Sequence, residues 1–421
     1  MNNQRLELVA DFYEYTMSNG YLNKKMENQI AYFDVFFRKV PDEGGYAIIA
    51  GLEQIINYIK NLSFDEEDIN YLRKQNKFSE EFLNYLENFR FTGDVWAIPE
   101  GTVVFPNEPL ITVRAPIIQA QLLETMLLLT TNHQSLIATK TSRIVKEAQG
   151  RPVMEFGARR AHGINAAVEG ARAAIIGGAI GTSCTLSAKE FNVPASGTMA
   201  HSWVQSFDSE YEAFKTYAEI YPDDCTLLID TYNTIESGLP NAIKVFNEVL
   251  KPKGYKPKAV RLDSGDLAYL SKKVRKILDE AGYTECKICA TNSLDEYLIK
   301  SLIEQDAKID SFGVGENLIT AKSEPVFGGV YKLVGIEKDT KIIPKIKVSE
   351  NVVKVTNPGF KKVYRFYDNE SQKAIADVIA LSDEIIDERE YMIFDPQNPW
   401  KKKLIKDYTI RELQEKIFEN G

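Results

Sequence analysis

Between Pro116 and about residue 325, apolar runs of strand length alternate regularly with amphipathic runs of helix length. This alternation constrains the fold more than any other feature of the chain. The strand-like runs end in polar or glycine clusters: PVMEFGARR, AIGTSC, VPASGTMAHS, CTLLIDTYN, KAVRLDSGD, CKICATNS and KIDSFGVG. Between them lie segments such as DSEYEAFKTYAEIY, GLPNAIKVFNEVL, DLAYLSKKVRKILDEAG and LDEYLIKSLIEQ. A strand and helix repeat of this kind predicts parallel strands joined by crossover helices. Seven such clusters point to a barrel-like β/α domain over 116–325 rather than a short open sheet.

The flanks have a different texture. Residues 1–115 read as a small mixed α/β unit: a helix over 8–19, the strand IAYFDVFFRKV, a turn at Gly44 and Gly45 into an apolar helix, then short strands with Gly and Pro turns. Ser63 with Glu66 reads as a capping box opening the helix DEEDINYL. A long apolar helix is predicted over about 117–146. Over 326–421, GGVYKLVGIEK, KIIPKIKVSE, KKVYRFYD and KAIADVIAL read as antiparallel strands, and the tail TIRELQEKIF as a helix. These strands are expected to return to the amino-terminal unit and make that domain discontinuous.

Length and composition set the class of function. With 421 residues and 44% hydrophobic content, the chain can bury one large core or two ordinary ones. Its net charge of −9 and scattered basic residues argue against nucleic acid or an anionic membrane as principal partner. The longest apolar runs fall short of a membrane span, and the amino terminus lacks an apolar signal core, so a cytoplasmic protein is expected. Of four cysteines only Cys286 and Cys289 are close, in CKIC. That pair alternates along an apparent strand, with no second pair at zinc-site spacing, which favours a structural role.

In β/α barrels the active site gathers at the carboxyl ends of the strands. Arg159, Ser183, His201, Asp230, Asp263, Asn292 and the glycines of FGVG stand at those ends. In SGTMAHSW, His201 follows a Ser-Gly turn, where an imidazole can act as base or nucleophile near neutral pH. LIDTY places Asp230 where a carboxylate can hold magnesium or orient His201. RLDSGD sets Arg261, Asp263, Ser264 and Asp266 around Gly265, a turn suited to a sugar phosphate and equally to a solvated local ion pair. FGVG, with Gly313 and Gly315, reads as a glycine turn feeding a helix whose amides can bind phosphate, and ATNS, with Thr291 and Asn292, as a second such site. Phe156 and Tyr13 are candidate aromatic plates for a flat ring, or ordinary core residues.

Together these motifs resemble one family. DFYEYTM, FFRK, GGYAIIAGL, FTGDVWAIPEGTVVFPNEPL, MEFGARRAHG, GTS, SGTMAHSW, SFDSE, LIDTYNT, RLDSGDLAYLS, FGVG, GGVYKLV and TNPGFKKVYR stand in the order seen in nicotinate phosphoribosyltransferases, from about residue 7 to 385. The resemblance implies an incomplete β/α barrel beside an α/β sandwich domain formed from both terminal segments. It implies a homodimer with sites at the interface. The reaction implied converts nicotinate and phosphoribosyl pyrophosphate to nicotinate mononucleotide and pyrophosphate, coupled to ATP hydrolysis and requiring Mg2+.

The resemblance also implies roles. His201 matches the histidine that ATP phosphorylates, and Asp230 and Asp263 match acids of the ribosyl and magnesium region. Phe156, with Tyr13 from the partner subunit, matches the pair enclosing the pyridine ring. Ser183 stands where nicotinamide-using relatives carry an aspartate that would repel a carboxylate substrate. Arg159 and Arg261 match residues near nicotinate and the ribose phosphate, with Ser264 beside them. Thr291, Asn292, Gly313 and Gly315 match the 5′-phosphate cradle. Arg38, Lys332 and Lys361 match basic positions for phosphate and pyrophosphate, Arg38 acting across the dimer interface. Two positions depart from the pattern: Asn233 replaces a second acid after Asp230, and Glu316 follows FGVG. Metal ligands are not assignable from the sequence.

Three other readings compete: a nicotinamide-using phosphoribosyltransferase, against which Ser183 speaks, a catalytically silent nucleotide-binding relative, against which the intact His201, Asp230 and Asp263 speak, and a sugar-phosphate lyase or isomerase. The last needs an activated lysine or a base pair at the mouth, and no strand-end lysine stands among the clusters.

Overall fold

The structure is a computed structural model that describes residues 5–348, 350, 355–387, 389–396 and 398–421. The stretch KIIPKIKVSE therefore contains one residue, Ser349, outside the described ones. The chain divides into two compact units, one of Met1–Ser135 with Val326–Gly421 and one of Leu136–Pro325.

The first segment runs α1 (Phe12–Asn23), β1 (Ile30–Phe37), β2 (Ala47–Ile48), α2 (Leu52–Asn61), α3 (Glu66–Lys74), α4 (Glu80–Glu87), β3 (Asp94–Ala97), β4 (Val103–Val104), β5 (Ile111–Pro116), α5 (Ile117–Gln121) and α6 (Glu124–Glu147). The cap of α3 is Asp65 rather than Ser63: its carboxylate accepts the amides of Glu67 and Asp68, and Asp68 closes the box. An aspartate caps as well as a serine and sits directly before the first helical turn. The expected long helix is two, α5 and α6, parted at Leu122 and Leu123. The change of unit falls inside α6, between Ser135 and Leu136, rather than at Pro116.

The second unit continues β6 (Val153–Glu155), α7 (Ile164–Ile176), α8 (Thr185–Glu190), α9 (His201–Gln205), α10 (Glu210–Ile220), β7 (Thr226–Leu228), α11 (Leu239–Val245), β8 (Ala259–Leu262), α12 (Leu267–Glu280), β9 (Lys287–Ala290), α13 (Glu296–Glu304), β10 (Ser311–Val314) and α14 (Glu316–Ile319). Its sheet is parallel throughout, in the order β6-β10-β9-β8-β7. Single parallel bridges add Thr182 beside Glu155 and Ala195 beside Thr182. The strands read as apolar runs because both faces are covered: Val260, Leu262, Ile288 and Phe312 are wholly buried. The helix α12 buries Leu267, Ser271, Val274 and Leu278, a stripe at helical spacing, and Asp266 caps its start. Cys286 and Cys289 are buried and unbridged, and burial pushes the Cys286 thiol up to about 12, as suits a packing role.

The chain then returns to the first unit with β11 (Gly329–Lys338), β12 (Lys341–Pro344), β13 (Lys361–Asp368), β14 (Ala374–Leu381), β15 (Glu390–Asp395), β16 (Asn398–Lys406), β17 (Tyr408–Glu412) and β18 (Glu415–Phe418). A six-stranded antiparallel sheet forms in the order β12-β11-β1-β5-β3-β18. The tail TIRELQEKIF is not a helix. Its halves are β17, paired with β13, and β18, paired with β3. Helix propensity in Leu, Gln, Glu and Lys amounts to tenths of a kcal/mol per residue, and two ladders with buried Leu413 and Phe418 outweigh it.

Candidate active site

The carboxyl ends of β7, β8 and β9 meet in one hydrogen-bonded cluster. Asp230, just past β7, is 9% exposed, and its Oδ2 accepts the Asp263 amide and the Ser264 hydroxyl, each at 2.7 Å. Its other oxygen, Oδ1, is buried with no hydrogen-bond partner among the described residues. Asp263, just past β8, accepts the hydroxyl of Thr291 from the end of β9. His201 opens α9. Its Nδ1 lies 3.1 Å from the Thr231 hydroxyl and its Nε2 lies 3.6 Å from Asp263 Oδ2.

Arg261 ties this cluster to the loop carrying His201. Its guanidinium donates to the Thr291 hydroxyl at 3.1 Å, the Thr198 hydroxyl at 3.0 Å and the Met199 carbonyl at 3.2 Å, and reaches Asp263 at 3.4 Å. Four partners fix a planar fork, so Arg261 holds Thr198 and Met199, just ahead of His201, as well as supplying positive charge. Among the described residues no group of three or more His, Cys, Asp or Glu is placed to hold a metal ion. A magnesium carried on substrate phosphates needs only one or two carboxylates, which the orphan Oδ1 of Asp230 and the carboxylate of Asp263 fit.

A second group surrounds an aromatic platform. The Phe156 amide donates to Val314 O at 2.7 Å, which seats the residue beside β10. Gly313 lies against its ring: a Cβ there would stand 2.5 Å from Phe156 Cδ2 and 2.8 Å from Thr291 Cγ2. Gly313 thus serves the ring as well as any phosphate. Ser183 is exposed and its amide donates to Glu155 O at 2.9 Å. Arg159 is exposed on the short turn after Phe156.

The two glycine and turn motifs are less alike than the sequence reading expects. Gly315 caps α14, which is a single turn. ATNS is not a helix start, since α13 begins later and is capped by Asp295. Asn292 and Ser293 instead hold successive left-handed conformations, φ 83° and 52°, a bend that asparagine tolerates better than most residues. The side chain of Asn317 donates to Ser293 O and Leu294 O and holds that bend.

Four predicted site residues belong to the other unit. Tyr13 is 44% exposed on α1, and partial burial followed by Glu124 raises its hydroxyl above the ordinary tyrosine range. Arg38 lies over the Phe36 ring at 5.5 Å, and its Nε is buried with no hydrogen-bond partner among the described residues. Lys332 is half-buried, which lowers its ammonium, and it stands 3.9 Å from Glu124. Lys361 is 3% exposed, with its ammonium 2.8 Å from Asp34 and bonded to Gly359 O at 2.6 Å. That amine neutralises a carboxylate wholly buried in the middle of β1, so in this structure it is committed to the core rather than presented to a phosphate.

Comparison with known proteins decides the lineage. The nicotinate phosphoribosyltransferase (NAPRTase) family model matches residues 152–366, its N-terminal domain model matches 8–132, and its C-terminal domain model matches 360–421. The chain belongs to the nicotinate phosphoribosyltransferase family. It is 46% identical to the nicotinate phosphoribosyltransferase of Bacillus subtilis (strain 168), covering 99% of this chain and 84% of that protein. It is 34% identical to that of Caenorhabditis elegans over 98% of this chain and 84% of the relative. The fold is similar to the crystal structure of human nicotinic acid phosphoribosyltransferase, with a TM-score of 0.85 at 26% identity, covering 98% of this chain and 89% of that one.

Both departures from the nicotinate phosphoribosyltransferase pattern have local explanations. Asn233 caps the wide helical turn Thr234–Gly238, its Oδ1 accepting the amides of Ile235 and Glu236. Glu316 is held by Lys322 at 2.7 Å, which lowers its carboxyl, with Arg160 at 3.7 Å, so its charge is compensated beside the Gly315 turn. Sequence reasoning missed Thr198, Thr231, Thr182, Asn317 and Glu155. Thr198, Thr231 and Thr182 are common polar residues outside the named helices and strands, Asn317 lies in the single turn of α14, and the partners of all four lie far along the chain. Glu155 left a signal: a carboxylate at the end of an otherwise apolar strand.

Proposed function

We propose that the chain is a nicotinate phosphoribosyltransferase. It converts nicotinate and phosphoribosyl pyrophosphate to nicotinate mononucleotide and pyrophosphate, the entry of nicotinate into NAD salvage, with coupled ATP hydrolysis. The observation that carries this reading is the contiguity of His201, Asp263, Asp230, Arg261 and Thr291: the imidazole, the guanidinium and the Thr291 hydroxyl all meet the Asp263 carboxylate, and the Asp263 amide bonds Asp230.

In this reading the pyridine ring stacks on Phe156, and Ser183 faces its carboxylate without repelling it. Tyr13 and Arg38 come from a second copy in a homodimer. A ring nitrogen of His201 attacks the terminal phosphorus of ATP, ADP leaves, and the phosphohistidine adds charge beside the pyrophosphate site. The Thr231 hydroxyl and Asp263 orient the imidazole, and Asp263 is placed to take its proton. Thr291, Asn292 and Gly315 supply hydroxyl and backbone groups to the 5′-phosphate, with Arg159 and Ser264 near the substrates. Asp230 and Asp263 would hold Mg2+, which when bound neutralises the departing pyrophosphate.

The continuation of the parallel sheet from β6 through Thr182 to Ala195 supports the incomplete β/α barrel, and the pairing of β1 with β11 and of β3 with β18 supports a sandwich domain built from both ends of the chain. Among the described residues no helix is long and apolar enough to cross a membrane. A cytoplasmic location suits the four unbridged cysteines.

The test is product formation from nicotinate and from nicotinamide, each with phosphoribosyl pyrophosphate, with and without ATP. Nicotinate turnover accelerated by ATP is expected. Preference for the amide would overturn the specificity, and no turnover of either would favour a silent relative.

A further inference from the structure

Glu155 ends β6 wholly buried, and the reaction outlined above gives it no task. Its two carboxylate oxygens are divided between two strand ends. Oε1 accepts the backbone N–H of Gly157, and Oε2 accepts the Thr182 hydroxyl at 2.6 Å. That hydroxyl itself accepts the Cys184 amide at 3.0 Å, so its single hydrogen is available for Glu155. The main chain adds a third link, because Ser183 N–H donates to Glu155 O at 2.9 Å. One residue therefore brackets Phe156 on one side and Ser183 on the other.

A buried carboxylate is a costly way to fill space, and an apolar side chain of the same volume would avoid its desolvation. Burial does push the Glu155 carboxyl above its usual range, opposed by the bonds from Thr182 and Gly157. What an apolar side chain cannot do is accept two donors 25 residues apart in the chain, Gly157 and Thr182. We infer that Glu155 is a positioning residue that sets the spacing between the Phe156 ring and Ser183, and thereby the selection of the pyridine substrate. This rests on the reading of the site proposed above. A flat ring bearing a carboxylate must be stacked and oriented at once, so an error in that spacing weakens binding of the pyridine. The groups proposed for phosphoribosyl pyrophosphate at the ends of β8 and β9 make no hydrogen bond to the Glu155 side chain and keep their geometry.

The experiment compares KM for nicotinate, KM for phosphoribosyl pyrophosphate and kcat in the full chain and in Thr182→Val, Thr182→Ser and Glu155→Gln. Thr182→Val removes the hydroxyl with little change of shape, and KM for nicotinate rises about tenfold, the worth of one hydrogen bond to a charged group. KM for phosphoribosyl pyrophosphate stays within about twofold, and Thr182→Ser restores nicotinate binding. Glu155→Gln keeps the length but loses one acceptor, and gives the same split if the valine variant does not fold. Folded variants with an unchanged KM for nicotinate, or with all three constants worsened together, would overturn the positioning role. A parent chain that does not turn over nicotinate would instead overturn the reading of the site.

Discussion

Asp263 Oδ2 faces His201 Nε2 at 3.6 Å while the Thr231 hydroxyl meets Nδ1 at 3.1 Å, so the imidazole is addressed from both edges. A carboxylate opposite Nε2 favours the tautomer with its hydrogen there, and leaves Nδ1 to accept from the hydroxyl. The ring is 40% exposed on its side chain, open enough for a nucleotide to reach it.

His201→Ala should abolish ATP coupling while leaving part of the uncoupled transfer. The ATP-dependent gain in nicotinate mononucleotide formation should fall by about a hundredfold or more, in keeping with loss of a covalent nucleophile. Parallel measurement of ADP release and product checks this. ADP release at the parent rate would remove His201 from the role.

Ser183→Asp should shift substrate preference towards the amide. A carboxylate placed against the carboxylate of nicotinate is repulsive, whereas it accepts from the amide of nicotinamide. The ratio of kcat/KM for nicotinate over nicotinamide should drop by at least about tenfold, a modest figure for juxtaposed like charges. Competition between the two substrates at equal concentration reads the ratio directly.

Gly313→Ala should displace the aromatic platform. The added methyl would stand 2.5 Å from Phe156 Cδ2 and 2.8 Å from Thr291 Cγ2, so the ring must shift and the Thr291 methyl must give with it. Overpacking of this kind costs about 1–3 kcal/mol. KM for nicotinate should rise by about tenfold with melting temperature only slightly lowered, as steady-state kinetics and calorimetry would show.

Glu108 gives the first unit a pH-dependent stability. Burial, and then the neighbouring Asp377, push its carboxyl up to about 9, opposed by the Phe105 amide and Arg365, whose guanidinium is paired with Asp377 at 2.6 Å. From the ordinary carboxyl range up to that value, the folded chain keeps a proton that the unfolded chain has released. Stability therefore falls as pH rises through this window. Glu108→Gln reproduces the neutral acid, donating to Asp377 and accepting from Phe105. It should raise the melting temperature at about pH 8 by roughly 2 °C or more and flatten its decline with pH. An unchanged pH profile would count against the shared proton.

Much of the site could be read along the chain because its residues follow strands. His201, Asp230, Asp263 and Thr291 were each marked by an apolar run ending in a polar cluster, and parallel strands bring such ends together. Lys361 shows where that logic stops. The family resemblance offers its charge to a phosphate, yet the carboxylate that claims it, Asp34, lies over three hundred residues earlier in β1. Asn233 and Glu316 were oddities until their partners, the amides of a helical turn and the ammonium of Lys322, were visible.

The sequence by itself determined the alternation of strand and helix, the motif order and the family, because hydrophobic period and spacing are local properties of the chain. The tertiary structure alone decided which charges are spent and which polar groups are joined. It turned the tail TIRELQEKIF into two strands, since β13 and β3 offered ladders worth more than its helix propensity. It also joined Glu155 to Thr182, a juxtaposition that arises from the parallel bridge between their segments and that no local pattern encodes.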